Sequence, residues 1–330
     1  MIDHLCSGWS KIFREDSGAK YWKWARLLVH PGRYPDQAHD LLGSRIICLV
    51  PEIKIREADH HLMKLFLESV RDGGTVKLKK LTIMGSLANI DPGLLSSVVL
   101  KLKDCNIDDA KPGQAEAILA GISNSTSTSL KQLVLCSPGS LRVRLAPNIV
   151  AEAAMKLETL KARFSSRQWE AIITRLVADQ DSRLRKLESY AAVDFDMSSL
   201  DPEVLAGALV KLETVGWDLS INLSPGQLTA LLSRICQAPV LKLKELVLHD
   251  KNLSLVPPEV LAGAIQRLEV VHLQFGRMTG EQATAILTLA KENRMGRIKN
   301  IKIYHVVGMR SVSPSLLKEA RLNAKLDWMD

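Results

Sequence analysis

Five prolines recur along the chain at an almost constant interval. They are separated by 55, 55, 56 and 56 residues and stand at Pro92, Pro147, Pro202, Pro258 and Pro314. Each opens a similar apolar phrase, and the phrase Pro-Glu-Val-Leu occurs at both Pro202 and Pro258. A fixed period of this size predicts a stack of similar repeats that presents a surface, because each repeat contacts only its neighbours.

Each of these prolines is predicted to begin an amphipathic helix. Proline suits the first helical position because the N–H that it lacks would have no partner there. Asp91, Asp201 and Ser313 directly precede three of the prolines, where their side chains can cap free N–H groups. The apolar residues that follow recur at i, i+3, i+4 and i+7, which indicates a helix with one buried face.

Two extended phrases and a second helix share each interval between prolines. The extended phrases, such as Leu-Lys-Lys-Leu-Thr-Ile, begin at positions 78, 102, 130, 157, 184, 212, 243, 268 and 298, and 50–55 resembles one more strand. The second helix is marked by Gln114, Gln168, Gln227 and Gln282. The order is therefore strand–helix–strand–helix, which predicts about ten single repeats from residue 50 to the end of the chain.

The Leu-x-x-Leu-x-Leu phrase followed by a helix resembles leucine-rich repeats of the longer type, as in ribonuclease inhibitor. The resemblance covers roughly four-fifths of the chain. It departs where that family usually has Asn or Cys after the strand, because Ser86, Pro138 and Lys251 stand there. The resemblance implies an α/β leucine-rich-repeat solenoid over residues 46–330, with a curved parallel β-sheet inside and helices outside.

Residues 1–45 do not follow the repeat and contain three of the six tryptophans. Cys6, Trp9 and Trp22 resemble the second half of an F-box, a module that docks the Skp adaptor. The first half of that module would lie before Met1, so the sequence predicts either a truncated or a degenerate F-box. The alternative is a helical cap, in which aromatic side chains including Trp24 cover the first repeat.

Charge and cysteine content limit the classes of partner. The net charge is +8, with an isoelectric point of about 9.2, but basic residues are dispersed along the chain. Nucleic-acid binders concentrate such charge on one face, so we expect a solvated outer surface. Five cysteines without a Cys-x-x-Cys pair indicate a reducing compartment, cytoplasmic or nuclear. No signal peptide and no membrane-length apolar run is expected.

No motif predicts an enzyme, a cofactor or a metal site. Gly-x-Gly-x-x-Gly, Walker, His-Glu-x-x-His and Gly-x-Ser-x-Gly patterns are missing from the sequence. His60 and His61 lie among acidic residues, which suits either a metal site or, as we expect, a polar helix face. Cys105 falls at an inward strand position and is predicted to be a small buried side chain.

The predicted strands place basic and aromatic residues on the concave face of the sheet. If the leucines at strand positions one, four and six point into the core, the residues at positions three, five, seven and eight face the concave side of the sheet. Aromatic and arginine side chains anchor many interfaces, although neighbouring loops could pack against them instead. The predicted protein-interaction residues are Lys161, Arg163, Phe164, Lys186, Tyr190, His249, His272, Phe275, Tyr304 and His305.

Together these features favour a protein–protein interaction scaffold that is monomeric outside its complexes. The F-box resemblance extends this expectation to the substrate-binding part of a ubiquitin-ligase receptor, with the Skp adaptor bound through residues 1–30. One alternative is a leucine-rich-repeat adaptor or ligand-binding protein outside the ubiquitin system. A basic nucleic-acid-binding solenoid is the weaker alternative, and it would bind with a steep dependence on salt.

Overall fold

The structure, a computed structural model, falls into two compact units, Met1–Leu145 and Ala146–Asp330. Each unit alternates strands and helices along the chain. The residues that the structure describes are 26–29, 50–56, 60–72, 77–135, 145–189, 199–217, 223–248, 251–273, 278–292, 300–304, 312–323 and 326–329.

The first unit contains five described strands and three described helices. The strands are β1 (Arg26–Val29), β2 (Glu52–Arg56), β3 (Lys80–Met84), β4 (Asp104–Ile107) and β5 (Gln132–Leu135). The helices are α1 (His60–Asp72), α2 (Pro92–Val99) and α3 (Pro112–Asn124). The helices pack against their neighbours in order, α1 on α2 and α2 on α3.

The second unit contains seven described strands and seven described α-helices. The strands are β6 (Thr159–Ala162), β7 (Lys186–Ser189), β8 (Thr214–Trp217), β9 (Glu245–Leu248), β10 (Val270–Leu273), β11 (Asn300–Tyr304) and β12 (Leu326–Met329). The helices are α4 (Pro147–Met155), α5 (Ser166–Ala178), α6 (Pro202–Leu209), α7 (Pro225–Gln237), α8 (Pro258–Gln266), α9 (Gly280–Lys291) and α10 (Pro314–Asn323). A 3-10 turn, Lys251–Leu255, precedes α8.

In both units every strand pairs in parallel with the next strand of the chain. The pairings run from β1 to β5 in the first unit and from β6 to β12 in the second. Parallel neighbours need a crossover connection, which the intervening helices supply. The predicted α/β organisation with a parallel sheet of sequential strands is therefore confirmed.

The predicted strand positions agree closely with the structure. Each of the nine extended phrases begins two residues before a strand, from position 78 for β3 to position 298 for β11. Inward residues form rows across the sheet, because the register aligns Leu81 with Cys105 and Cys105 with Leu133. All three side chains are at most 2% exposed, so these aliphatic rows form the core of the first unit.

The sequence analysis missed two strands. One of them lies within residues 1–45, which were predicted to be helical. Arg26–Val29 lies within residues 1–45 but forms β1, which pairs with β2 from Arg26 to Glu52. Leu326–Met329 forms β12 on β11. Neither segment has the Leu-x-x-Leu-x-Leu phrase, and backbone hydrogen bonding to a parallel neighbour does not require it. The rest of the F-box-like stretch, with Cys6, Trp9, Trp22 and Trp24, lies outside the described residues.

All five repeating prolines begin a helix, as predicted. The Asp91 carboxylate accepts a hydrogen bond from the Leu94 N–H at 2.7 Å. The Asp201 carboxylate accepts two such bonds at the start of α6, at 2.9 and 3.0 Å. These caps satisfy N–H groups that have no partner within the helix, and each contributes about 1 kcal/mol.

A buried glutamine occupies the third position of four helices, α3, α5, α7 and α9. The side-chain oxygen of Gln227 accepts a hydrogen bond from the Ser224 N–H at 2.9 Å, and its nitrogen donates to the Leu200 carbonyl at 2.8 Å. Gln282 makes the equivalent bonds to Thr279, Leu253 and Val256. The amide thus joins its own helix to the loop of the preceding repeat.

We predict that Gln227→Leu lowers the free energy of unfolding by about 2–3 kcal/mol, because it leaves the Ser224 N–H and the Leu200 carbonyl without their partner. Chemical denaturation of the full chain would measure this loss. Gln237→Leu is the matched control, since Gln237 ends the same helix and is exposed. Equal unfolding midpoints for the two variants would contradict this role of Gln227.

Two glycines at the same helical position differ in the space around them. Gly207 in α6 and Gly263 in α8 both lie in the phrase Pro-Glu-Val-Leu-Ala-Gly-Ala. A Cβ on Gly263 would stand 2.9 Å from the Cys236 sulfur, whereas one on Gly207 would stand 4.0 Å from a Val177 methyl group. A side chain at position 263 would therefore force the Cys236 sulfur or the two helices to shift, whereas one at position 207 would make an ordinary van der Waals contact.

We predict opposite effects for alanine at these two positions. Gly263→Ala should destabilise the protein by about 1–3 kcal/mol through overpacking. Gly207→Ala should stabilise it by up to about 1 kcal/mol, because alanine has the higher helix propensity. Thermal unfolding of both variants would measure the difference. Gly263→Ala combined with Cys236→Ala should recover stability, and failure to recover would show that the sulfur is not the obstacle.

Candidate interaction face

The strands of the first unit bury one face and expose the other. In β2, Ile53 and Ile55 are fully buried, whereas Glu52, Lys54 and Arg56 are half-buried. This alternation follows from the period of two along a strand. We call the side that carries the first, third and fifth strand residues the polar face.

The register arranges the residues of the polar face in rows across neighbouring strands. In the second unit one row contains Thr159, Lys186, Thr214, Glu245, Val270 and Asn300. The next row contains Lys161, Glu188, Gly216, Val247, His272, Lys302 and Asp327. The predicted alignment of Lys161 with His272 and Lys302 is confirmed at the level of the backbone.

Lys161 and Lys186 both lie on the polar face, as predicted. The ammonium of Lys161 forms an ion pair with Glu188, at 3.0 Å, across β6 and β7. Lys186 is exposed, and Arg163 is half-buried just beyond the end of β6. Charge of both signs therefore stands on this part of the sheet, and Glu188 is a member of the face that the sequence interpretation missed.

Phe164 is a core residue, so its assignment to the interaction face was wrong. It is only 3% exposed, and its ring meets the fully buried indole of Trp169 edge to face, with centroids 6.0 Å apart. Leu160 and Ala162 are buried on the same side. The inward alternation of β6 thus continues two residues past the strand, which places its eighth position inside.

The predicted cluster near the C-terminal end is described only in part. His272 lies in β10 and Tyr304 in β11, where Tyr304 is aligned with Met329. Tyr190, His249, Phe275 and His305 lie outside the described residues. Their assignment to the interaction face stays a prediction.

A second set of charges lies where the chain enters the strands of the second unit. The residue just before each of the strands β7 to β10 donates its N–H to the carbonyl of the residue just before the preceding strand, at 2.7 to 2.9 Å. We call this series of residues the entry ladder. In the second unit it alternates in sign: Glu158, Arg185, Glu213, Lys244 and Glu269.

The alternating ladder neutralises itself. Glu213 pairs with Arg185 at 3.0 Å and with Lys244 at 3.4 Å, and Glu158 pairs with Arg183 at 3.6 Å. These residues line a cavity of about 490 Å³ together with Lys211 and Lys242. Four of its five cationic side chains have partners within the unit: Arg183, Arg185 and Lys244 form ion pairs and Lys211 donates to backbone carbonyls.

Lys211 binds the end of a helix. Its ammonium donates to the carbonyls of Leu176 and Val177, at 2.9 and 2.8 Å, where α5 ends. A cation at this end also complements the helix dipole. Lys101 and Arg267 follow α2 and α8 in the same way and donate to the carbonyls of Arg71 and Cys236. The basic residue after each of these proline-started helices therefore joins neighbouring repeats.

Three sequence-based expectations concern metal-ligating and thiol side chains. No group of three or more His, Cys, Asp or Glu side chains within them could hold a metal ion. His60 and His61 begin α1 and are exposed. Burial raises the pKa of the Cys105 thiol to about 12, which keeps it protonated and unreactive, as expected of a small core residue.

No helix in the described part of the chain has both the length and the apolar character that a membrane span requires.

The entry ladder could have been found from the sequence. Its members directly follow the first leucine of each extended phrase, as in Leu157-Glu158, Leu184-Arg185 and Leu212-Glu213. Alignment of the phrases alone shows the alternating sign. Backbone hydrogen bonds place these residues side by side, so the alternating charges lie next to one another in the fold.

Comparison with known proteins identified no relative: no protein-family model matches the chain, and no curated protein does.

Proposed function

We propose that this protein is a protein-binding scaffold of the leucine-rich-repeat type. It would hold its ligand on the polar face of the sheet, where one strand follows another in sequence order. The observation that carries this proposal is the row of Lys161, Glu188 and their in-register neighbours. Such rows place side chains from many repeats on one surface, which is how repeat proteins form extended binding sites.

The sheet face supports protein binding better than catalysis. Its described residues are mostly charged, polar or small, with Val247 and Val270 among them, and no group of three or more His, Cys, Asp or Glu side chains in the described part of the chain could hold a metal ion. Lysine and glutamate on adjacent strands supply charge complementarity, which sets specificity and association rate more than affinity. The specificity would then depend on which residues occupy each row.

The pattern of Cys6, Trp9 and Trp22 extends the proposal to the substrate receptor of a ubiquitin ligase. This extension rests on the F-box resemblance alone, since those residues lie outside the described part of the chain. A leucine-rich-repeat adaptor outside the ubiquitin system would have the same sheet face without adaptor docking.

We predict that reversing charge on the polar face removes bound proteins. The face variant is Lys161→Glu with Lys186→Glu, and the matched control is Arg167→Glu with Arg175→Glu, two exposed positions on α5 with the same change in net charge. Quantitative affinity capture from cell extract should find a set of proteins that the wild type and the helix variant retain and the face variant loses about tenfold. Identical captured sets for all three would refute the proposal.

The ligase extension has a separate test. The purified full chain should bind the Skp adaptor at micromolar or lower concentration if residues 1–30 dock it, and Trp9→Ala with Trp22→Ala should abolish this binding. Trp217→Ala, in β8, is the control for general loss of tryptophan. Absence of adaptor binding would assign the protein to the adaptors outside the ubiquitin system and leave the scaffold proposal in place.

A further inference from the structure

The polar face of the first unit contains two buried side-chain atoms that have no hydrogen-bond partner. They are the Nε of Arg56 in β2 and the Oδ1 of Asn106 in β4. Both residues lie on the polar face, since their neighbours Ile55 and Cys105 point into the core. A buried polar group without a partner costs folding free energy, so each one requires an explanation.

Asn106 lies in a recessed row of the polar face. The register aligns it with Thr82 and Lys54 on one side and with Val134 on the other. Thr82 is only 9% exposed, because its short side chain stands among longer ones. The flanking rows consist of Glu52, Lys80, Asp104 and Gln132 on one side and Arg56 and Met84 on the other. The stretch from Thr82 to Val134 therefore crosses three strands below the level of its surroundings.

Two unpaired cations stand at one end of this row. Lys54 and Arg56 are two positions apart on the same face of β2, so their backbones are about 7 Å apart. Both are half-buried, and neither forms an ion pair with any described residue. The nearest acid in the flanking row, Glu52, is bound to Lys80 at 3.3 Å. A carboxylate placed between Lys54 and Arg56 would supply the anion that this end of the row lacks.

The fold itself does not require these polar groups. Asparagine is depleted in strands, and the equivalent row of the second unit contains Gly216 and Val247. Where that row does carry charge, Lys161 and Glu188 neutralise each other at 3.0 Å. Positions at which a sequence departs from such stabilising choices are expected at functional sites. The unpaired groups of the first unit therefore indicate a partner outside the chain.

We propose that this row binds an extended segment of a partner protein that carries an Asp or Glu side chain. The Oδ1 of Asn106 accepts a backbone N–H of the segment, and Lys54 and Arg56 bind the acidic side chain, which also gives the Arg56 Nε its acceptor. Two strand spacings, about 10 Å, separate Lys54 from Asn106, a distance that an extended peptide covers with three residues. The inference rests on the function proposed above, because it states what the polar face binds.

The test begins with random twelve-residue peptides displayed on phage and selected on the full chain. The enriched peptides should share one Asp or Glu at a fixed position. An amidated synthetic copy, which has no terminal carboxylate, should bind in fluorescence anisotropy. Lys54→Gln with Arg56→Gln should weaken binding at least about tenfold. Changing the acidic residue of the peptide to its amide should cause the same loss, and combining both changes should add little, because they remove one contact.

The role of Asn106 has its own double-mutant cycle. Asn106→Leu should weaken peptide binding at least about fivefold, and N-methylation of one backbone amide of the peptide should do the same. The two changes together should again be less than additive. Asn106→Leu should nevertheless unfold at the same or a higher temperature than the wild type, because leucine leaves no unpaired amide and suits a strand better.

Two matched controls make the losses specific. Gln237→Leu removes an exposed amide elsewhere, and Lys79→Gln with Lys103→Gln removes two exposed cations of the same unit. Each should alter affinity less than about twofold.

Several results would overturn the proposal: no enriched peptide, enriched peptides without an acidic residue, or unchanged binding by Asn106→Leu. A lower unfolding temperature for Asn106→Leu would overturn it too, since a buried water would then already satisfy the amide. Proteins from cell extract that Asn106→Leu retains and Lys161→Glu with Lys186→Glu loses would refute this inference alone. Failure of the wild type to retain any protein or peptide would refute the proposed function as well.

Discussion

A buried glutamine amide at the start of every second helix from Pro112 onward holds this architecture together. Gln114, Gln227 and Gln282 accept a hydrogen bond from the residue that caps their own helix and donate to carbonyls 24 to 29 residues earlier. These carbonyls lie between the strands and the helices, in loops or in the 3-10 turn, where a buried backbone oxygen needs a partner outside the regular ladders. Because each amide satisfies groups in two repeats at once, the spacing of the repeats is fixed and the strands stay in register.

The strand register aligns equivalent residues of successive repeats, and these aligned residues form continuous surfaces. It places inward aliphatic residues such as Leu81 and Leu133 in one row and outward residues such as Lys161 and Glu188 in another. The same stacking brings the residues before the strands side by side. The residues directly before the strands alternate in sign in the second unit, whereas Pro51, Lys79, Lys103 and Lys131 occupy the equivalent positions in the first. The residues that distinguish these surfaces from one another are not part of the core.

The sequence interpretation was correct where a structural feature depends on residues close together in the sequence. It was wrong where the feature depends on contact with another segment of the chain. Proline at the first helical position and the leucine phrases are local signals, and all nine phrases led to strands. β1 and β12 lack that phrase and are strands because a parallel partner offers them hydrogen bonds. Phe164 carries an interface-type side chain, yet it is buried, because Trp169 of the following helix provides its packing partner. Neither outcome can be read from one segment alone.

By itself the sequence determined the repeat, its strand–helix order and the helix starts, because periodicity and capping depend on residues a few positions apart. It also marked Gln114, Gln168, Gln227 and Gln282 as special without giving the reason. Only the tertiary structure decided that the amides of Gln114, Gln227 and Gln282 join neighbouring repeats and that Arg185, Glu213 and Lys244 stand next to one another. Such contacts connect residues 24 or more positions apart, and their geometry exists only once the strands are paired.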